Sequence, residues 1–226
     1  MPDPVSPTTG WGVVHLFCRP AGEVDRAAVH KAVDAMAADD HQVVTVATLG
    51  HKADLVLMAL GPDLWRLRRF QTEVEGAGLE VVDSFVSLTE LSEYAAGVPE
   101  ELQQARLFPQ LPPEGKPAFC FYPMSKRRDP GQNWFTLPFD ERKELMYAHG
   151  KSGRTFAGRV LQVVTGATGV DDWEWGVTLF AQRPDDLKEV VYSMRFDEAS
   201  AIYAEFGPFV TGMVAPVDDV LDAIGA

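Results

Sequence analysis

The chain has 226 residues, 46% of them hydrophobic, and its 33 acidic and 20 basic residues give a formal net charge of −13. A globular chain of this length buries roughly 70–75% of the surface that its unfolded form exposes. No long basic stripe offsets the acidic charge, which excludes an ordinary nucleic-acid partner. No run of 18 apolar residues occurs, and the opening decapeptide lacks the features of a signal peptide, so we expect no membrane span, no export and a cytoplasmic protein.

The first half of the chain predicts the element order β-α-β-β-α-β. Apolar and β-branched runs bounded by glycine and proline mark the strands, and helical spacing of alanine, valine and leucine marks the helices. The predicted elements are a strand at 12–19, a helix at 23–40, strands at 42–49 and 54–60, a helix at 61–78 and a strand at 79–91. This order is that of a ferredoxin-like unit.

The second half repeats that order after a Pro-rich segment at 106–117. Its predicted elements are a strand at 118–124, a helix at 139–158, strands at 159–167 and 173–181, helical segments within 184–207 and a strand at 208–214. We therefore predict an α+β subunit built as a duplicated ferredoxin-like unit, a fused dimeric α+β barrel whose sheets enclose a cavity. The predicted halves are residues 1–105 and 106–226, with the functional site in the second.

Several common site motifs are missing. The sequence contains no GxGxxG, HExxH, CxxC or GxSxG, which removes the usual dinucleotide, zinc and serine-hydrolase interpretations. The run Gly150, Lys151, Ser152 lacks the upstream glycine of a phosphate-binding loop. Only two cysteines occur, Cys18 and Cys120, far apart within apolar strand patterns, so we expect free buried thiols.

Among the five histidines, His149 is the candidate metal ligand. It follows Leu145 and Met146 by one turn of the predicted helix, so its ring can point with that apolar face toward the sheet. Two interpretations of His149 stay open from the residue pattern: it is a metal ligand, or it is a hydrogen-bonded core residue. The remaining histidines are expected to be structural or solvated: His15, His30, His41 and His51.

A local basic cluster stands out against the acidic background. Lys126, Arg127 and Arg128 follow the aromatic and thioether run that contains Tyr122. Charge-assisted bonds from such cations hold carboxylates, and a flat apolar ligand with several carboxylates would use them all. An iron tetrapyrrole fits that description, whereas the alternative is a solvated turn.

Four stretches, "FYPMSKRRDPGQNW", "AHGKSGRTFAGRVLQ", "GVDDWEWGVTLF" and "MRFDEASAIYAEFGPF", resemble the coproheme decarboxylases of the chlorite dismutase superfamily, in the type with an intact YPMSKRR motif. The similarity runs through most of residues 106–212 and is weaker at 50–60. It implies a duplicated ferredoxin-like barrel, a homopentamer, and non-covalent binding of iron-coproporphyrin III (coproheme). It also implies heme b as product and a transient contact with the ferrochelatase that supplies coproheme.

Carried over residue by residue, the resemblance assigns His149 as the proximal iron ligand and Tyr122 as the catalytic tyrosine. Lys126 is assigned to catalysis as the residue that positions the reacting propionate. The implied substrate contacts are Arg106, Tyr122, Pro123, Met124, Ser125, Lys126, Gln162, Arg195 and Ser200. Two features depart from the family pattern: Arg106 aligns only with a short length difference, and Phe135 stands where relatives commonly have tyrosine.

The implied reaction is the oxidation of two propionates to vinyl groups by hydrogen peroxide, with the substrate's own iron as redox centre. A protonated Tyr122 would relay the oxidation, since an ordinary phenol has a pKa near 10. Three alternatives stay open: a chlorite-degrading or peroxidase-like enzyme, which Gln162 disfavours because that activity is associated with a distal arginine; a non-catalytic heme carrier or sensor; and a duplicated barrel without a tetrapyrrole.

Overall fold

The computed structural model describes residues 2–95 and 97–226. The first six elements are β1 (Gly12–Pro20), α1 (Arg26–Ala38), β2 (Gln42–Leu49), β3 (Leu55–Gly61), α2 (Leu64–Gly76) and β4 (Leu79–Thr89), followed by α3 (Glu100–Leu107). The remaining elements are β5 (Ala118–Lys126), β6 (Arg128–Asp129), β7 (Gln132–Asn133), a 3-10 turn (Trp134–Thr136), α4 (Phe139–Arg154), β8 (Val160–Gly166), β9 (Trp175–Ala181), α5 (Pro184–Met194), α6 (Glu198–Ala201), β10 (Ala204–Phe206), β11 (Val210–Val214) and α7 (Val217–Ile224). The predicted α+β class is confirmed.

Eight strands form one closed antiparallel sheet. The strands pair in the order β5-β11-β2-β3-β1-β4-β8-β9, and β9 pairs back onto β5. The first half contributes β2-β3-β1-β4 and the second β8-β9-β5-β11, which is the same ferredoxin-like order twice. The pairs β11–β2 and β4–β8 join the two halves, and β10 adds to the far end of β5.

The interior of the closed sheet is a hydrophobic core. All eight strands contribute one face to a single apolar cluster, to which Phe17, Phe85, Phe119, Phe121 and Phe180 contribute the aromatic rings. Because side chains alternate across a strand, the neighbouring positions point outward. The interior therefore differs from the expected cavity, since bulky side chains from both halves fill it.

The outward faces of the two halves are covered by different helices. Helices α1, α2 and α7 pack on the first half, and α1 begins where the Asp25 side chain accepts a hydrogen bond from the Ala28 amide, at 3.0 Å. On the second half, α5 packs against β5 and β9, and α4 packs on α5 and α6. None of the described helices combines the length and apolar character needed to cross a membrane.

The sequence patterns missed several short elements. Helix α3 ends inside the predicted Pro-rich segment 106–117 and runs across position 105/106, so the boundary between halves stays a prediction. The hairpin β6–β7 and helix α7 were also not anticipated.

Cys18 and Cys120 are free and buried, as expected. Burial raises the pKa of the Cys18 thiol to about 12 and that of the Cys120 thiol to about 11.

Candidate functional site

His149 lies in the last two turns of α4. This helix starts after Pro138 with Asp140 and Glu141 in its first turn and ends with basic residues, an arrangement that favours the helix dipole. One turn before His149, Leu145 and Met146 pack against a buried cluster that includes Trp134, Ala199 and Tyr203. This packing turns the His149 side chain away from solvent and toward α6, so that only 22% of the side chain is exposed.

The His149 ring is held through one nitrogen. Its Nδ1 lies 3.1 Å from Oδ2 of Asp197 and 3.5 Å from Oγ of Ser200. The Ser152 hydroxyl donates to the other carboxylate oxygen of Asp197, at 2.7 Å. A carboxylate acceptor places the proton on Nδ1, which leaves the Nε2 lone pair for another partner.

The His149 imidazole is kept neutral. Burial lowers its pKa, the charge of Lys126 lowers it further, and Asp197 opposes both effects. A neutral ring is the form that binds a metal. Within residues 2–95 and 97–226, no cluster of three or more histidine, cysteine or acidic side chains could hold a bare metal ion. A tetrapyrrole iron needs only one protein ligand on its proximal face, so the residues present fit such a group.

Tyr122 lies on the outward face of β5, in an apolar environment. Its ring stacks on Phe209 with centroids 4.5 Å apart and meets Phe206 edge-on at 5.7 Å. The side chain is 7% exposed and packs in the cluster between the sheet and α5. Burial raises the pKa of the Tyr122 phenol, so it is protonated at neutral pH.

Lys126 is buried beside His149. Its Nζ donates to the carbonyl oxygen of Ala199 at 2.5 Å and lies 4.3 Å from the ring centroid of Trp134. Burial lowers the pKa of Lys126 to about 8, and Glu174 opposes this effect. At neutral pH the ammonium is therefore charged, and its acceptor residue directly precedes Ser200 in α6.

Glu174 organises the basic run. Its Oε2 accepts a hydrogen bond from the Lys126 amide at 2.7 Å, its Oε1 accepts from the Arg128 guanidinium, and its amide donates to Ser125 Oγ at 3.2 Å. Glu174 is buried, whereas the Arg128 side chain is 63% exposed. Part of the basic run therefore anchors the β8–β9 connection to β5. The sequence patterns assigned no role to Glu174, although it stands in the matched stretch "GVDDWEWGVTLF".

Gln162 lies on the outward face of β8 and is exposed. It pairs in register with Leu179 of β9, which belongs to the Tyr122 cluster. The next outward residue, Val164, is 42% exposed. Strand β9 pairs along the whole of β8, whereas β4 pairs only with Thr165 and Gly166. Val164 is in register with Val177 of β9, which is in register with Tyr122 of β5. An exposed apolar position on β8 therefore lies in line with Tyr122.

The other assigned residues divide into two groups. Pro123, Met124 and Ser125 continue β5 beyond Tyr122, and Met124 and Ser125 pair with β10. Arg106 and Arg195 are exposed at the ends of α3 and α5. Arg195 stacks over Tyr192 at 4.0 Å, and within the described residues no hydrogen bond, ion pair or cation–π contact joins either arginine to His149 or Tyr122. Asp197 and Trp134 also lie at the site. The sequence patterns assigned no role to either residue, although both stand in matched stretches.

A family model and a curated relative both match most of this chain. The family described as "Chlorite dismutase" matches residues 24–215. The coproheme decarboxylase of Staphylococcus saprophyticus is 45% identical over 185 residues, which cover 76% of this chain and 73% of that protein.

Solved structures agree with this match. A heme-binding protein from Thermus thermophilus superposes with a TM-score of 0.86 at 35% identity, over 100% of this chain and 99% of the other. A chlorite dismutase from Candidatus Nitrospira defluvii in complex with imidazole superposes with a TM-score of 0.80 at 18% identity, over 97% of each chain. At that identity, the last comparison supports the fold alone.

Proposed function

This chain belongs to the chlorite dismutase family, and we propose that it is a coproheme decarboxylase that forms heme b from iron-coproporphyrin III. The relative at 45% identity carries that name, and a structural neighbour is a heme-binding protein. One observation carries the proposal: the neutral ring of His149, held at Nδ1 by Asp197, lies outside the closed sheet on the same side as the oxidisable Tyr122.

His149 binds the iron through Nε2, and the outward face of β8 takes the apolar macrocycle. The exposure of the apolar Val164 side chain supports this position, because a large apolar ligand would cover it. Gln162, one outward position earlier, faces the same space. When bound, the iron supplies the redox centre on which hydrogen peroxide acts.

The substrate carboxylates are bound by residues around the basic run. Ser125, Ser200 and Lys126 surround the end of β5, and Arg106 and Arg195 are further cations for this role. Lys126 already donates to the Ala199 carbonyl, so a carboxylate would share the ammonium with that carbonyl. An ammonium has three donors, which allows both bonds at once.

The reaction is balanced by one peroxide for each propionate. A propionate loses carbon dioxide, one proton and two electrons and becomes a vinyl group, and hydrogen peroxide takes up those electrons with two protons and becomes two waters. Tyr122 contributes a protonated phenol that releases an electron and a proton together and regains a hydrogen atom from the propionate side chain. Its ring is held among Phe206, Phe209 and the sheet, which fixes the position of the phenol.

The cellular setting follows from the same proposal. The enzyme acts in the cytoplasm, assembles as a homopentamer, and receives coproheme through a transient contact with a ferrochelatase. These three statements depend on the family resemblance, and sedimentation of the purified protein tests the assembly.

The deciding experiment has two steps. Iron-coproporphyrin III is titrated into the apoprotein while the Soret band is followed, and hydrogen peroxide is then added in steps before the mass of the extracted porphyrin is measured by mass spectrometry. We expect a saturable Soret shift and the loss of two carboxyl groups. Binding without decarboxylation would identify a heme carrier instead, and no Soret shift would contradict every heme-based function.

A further inference from the structure

A buried cation lies over an oxidisable ring next to the His149 site. Lys126 Nζ is 4.3 Å from the centroid of Trp134, and both side chains are nearly inaccessible, with exposures of 8% and 3%. The hydrogen bond to the Ala199 carbonyl fixes the ammonium in place. The contact is therefore a defined feature of the fold and not a fluctuating surface pair.

Trp134 is close to where oxidising equivalents would arise. It packs in one cluster with Leu145 and Met146, the helical turn before His149. Its ring meets that of Tyr203 edge-on, with centroids 5.4 Å apart. Two oxidisable rings thus lie in contact on the His149 side, where they compete with Tyr122 for any oxidant formed on the bound iron.

The lysine changes that competition through electrostatics. A neutral indole attracts a cation through the negative face of its ring. When the indole loses an electron it becomes a cation itself, and the interaction turns repulsive in surroundings where water screens little. Tyr122 differs because its phenol loses a proton with the electron, and within the described residues no cation lies over its ring.

We propose that the ammonium of Lys126 protects Trp134 from oxidation and so directs oxidising equivalents to Tyr122. This inference rests on the proposed function, because it requires an iron-bound oxidant at His149. In the unprotected case, Trp134 gives one electron to the peroxide-oxidised cofactor and releases its Nε1 proton. A second one-electron oxidation and the addition of one water, with loss of a second proton, leave a hydroxylated indole, so that one peroxide is reduced to two waters for each side chain oxidised.

The test compares Lys126→Gln with Lys126→Arg. Glutamine removes the charge but keeps a donor for the Ala199 carbonyl, whereas arginine keeps the charge. Each protein is loaded with iron-coproporphyrin III and treated with a few equivalents of peroxide, and oxidation of Trp134 is measured by peptide mass spectrometry. Trp65, an exposed residue on α2, reports general peroxide damage in the same sample.

We expect oxidation of Trp134 relative to Trp65 to rise at least fivefold in Lys126→Gln and to stay near the parent level in Lys126→Arg. Adding Trp134→Phe to Lys126→Gln should raise the yield of decarboxylated product per peroxide above that of Lys126→Gln alone, and the lost carboxylate contact should keep it below the parent yield. An unchanged Trp134 signal in a loaded Lys126→Gln protein would overturn the inference. If Lys126→Gln does not bind the macrocycle, a photochemical one-electron oxidant applied to the apoproteins gives the same comparison, and equal Trp134 oxidation would overturn it there.

The two proposals can fail separately. A parent protein that does not decarboxylate coproheme, combined with raised Trp134 oxidation in Lys126→Gln, would remove the proposed function and keep the protective role. A parent protein that decarboxylates, combined with no rise in the variant, would do the reverse.

Discussion

Nδ1 of His149 lies 3.1 Å from Oδ2 of Asp197, which connects the last two turns of α4 to the start of α6. The pair fixes both the orientation and the tautomer of the ring. Outer contacts of this kind commonly change metal affinity by about 10–100-fold.

Asp197→Asn should therefore weaken coproheme binding by about tenfold or more, because an amide is a poorer acceptor for the Nδ1 proton than a carboxylate. Soret titration of the apoprotein measures the affinity. Asp218→Asn is a matched control, since Asp218 pairs with His30 at 2.6 Å on the first half. Equal affinities for parent and Asp197→Asn would show that the pair has no role in ligation.

His149→Ala should remove the proximal ligand while leaving the fold intact, because the ring contributes little to the core. We expect a changed ferric spectrum that added imidazole restores, and a single cooperative thermal unfolding transition of the apoprotein. A parent-like spectrum in the variant without imidazole would place the iron ligand elsewhere.

Glu174→Ala should destabilise the fold by about 1–3 kcal/mol, because it leaves the buried Lys126 amide without its acceptor. Arg128→Ala removes the exposed partner of the same carboxylate and should cost about 1 kcal/mol or less. Urea denaturation of the apoproteins measures both changes. The opposite ranking would contradict the structural role of Glu174.

His15 should make the stability fall in acid. Burial inside the sheet lowers its pKa from 6.5 to about 3, so between these values the unfolded chain binds a proton that the folded chain excludes. The stability contribution is present above pH 6.5 and is lost as the pH falls toward 3, by about 1.4 kcal/mol for each pH unit.

His15→Leu removes this term, and the slope of unfolding free energy against pH from 6 to 4 should decrease by about that amount. Denaturant titrations at several pH values give both slopes. Indistinguishable slopes would mean that His15 is protonated in the folded protein or that the unfolded state also excludes the proton.

Local sequence patterns predicted most of the helices and strands. Features that depend on contacts between distant parts of the chain could not be predicted from these patterns. The strand expected at 42–49 is β2 without change. Helices α3 and α7 were missed although each starts with a proline followed by acidic residues, a recognisable signal. The outward direction of Tyr122 could not be predicted because both faces of β5 are buried, and strand alternation then gives no preferred face.

In the candidate site, too, some residues could be predicted from the sequence and others depend on long-range packing. His149 could be proposed from its place in a matched stretch, and its burial follows from the apolar turn before it. Asp197 is distant in sequence and meets His149 only because α4 packs on α6. The position of Lys126 over Trp134 depends on the hairpin β6–β7 between them, which no periodicity indicates.

The central claim is that Tyr122 relays oxidation to the substrate propionate, and Tyr122→Phe tests it most directly. Removing one hydroxyl keeps the ring between Phe206 and Phe209, so coproheme should bind with near-parent affinity. After several equivalents of peroxide, mass spectrometry of the extracted porphyrin should show two lost carboxyl groups for the parent and intact or bleached coproheme for the variant. Decarboxylation by Tyr122→Phe at a near-parent rate would contradict the account.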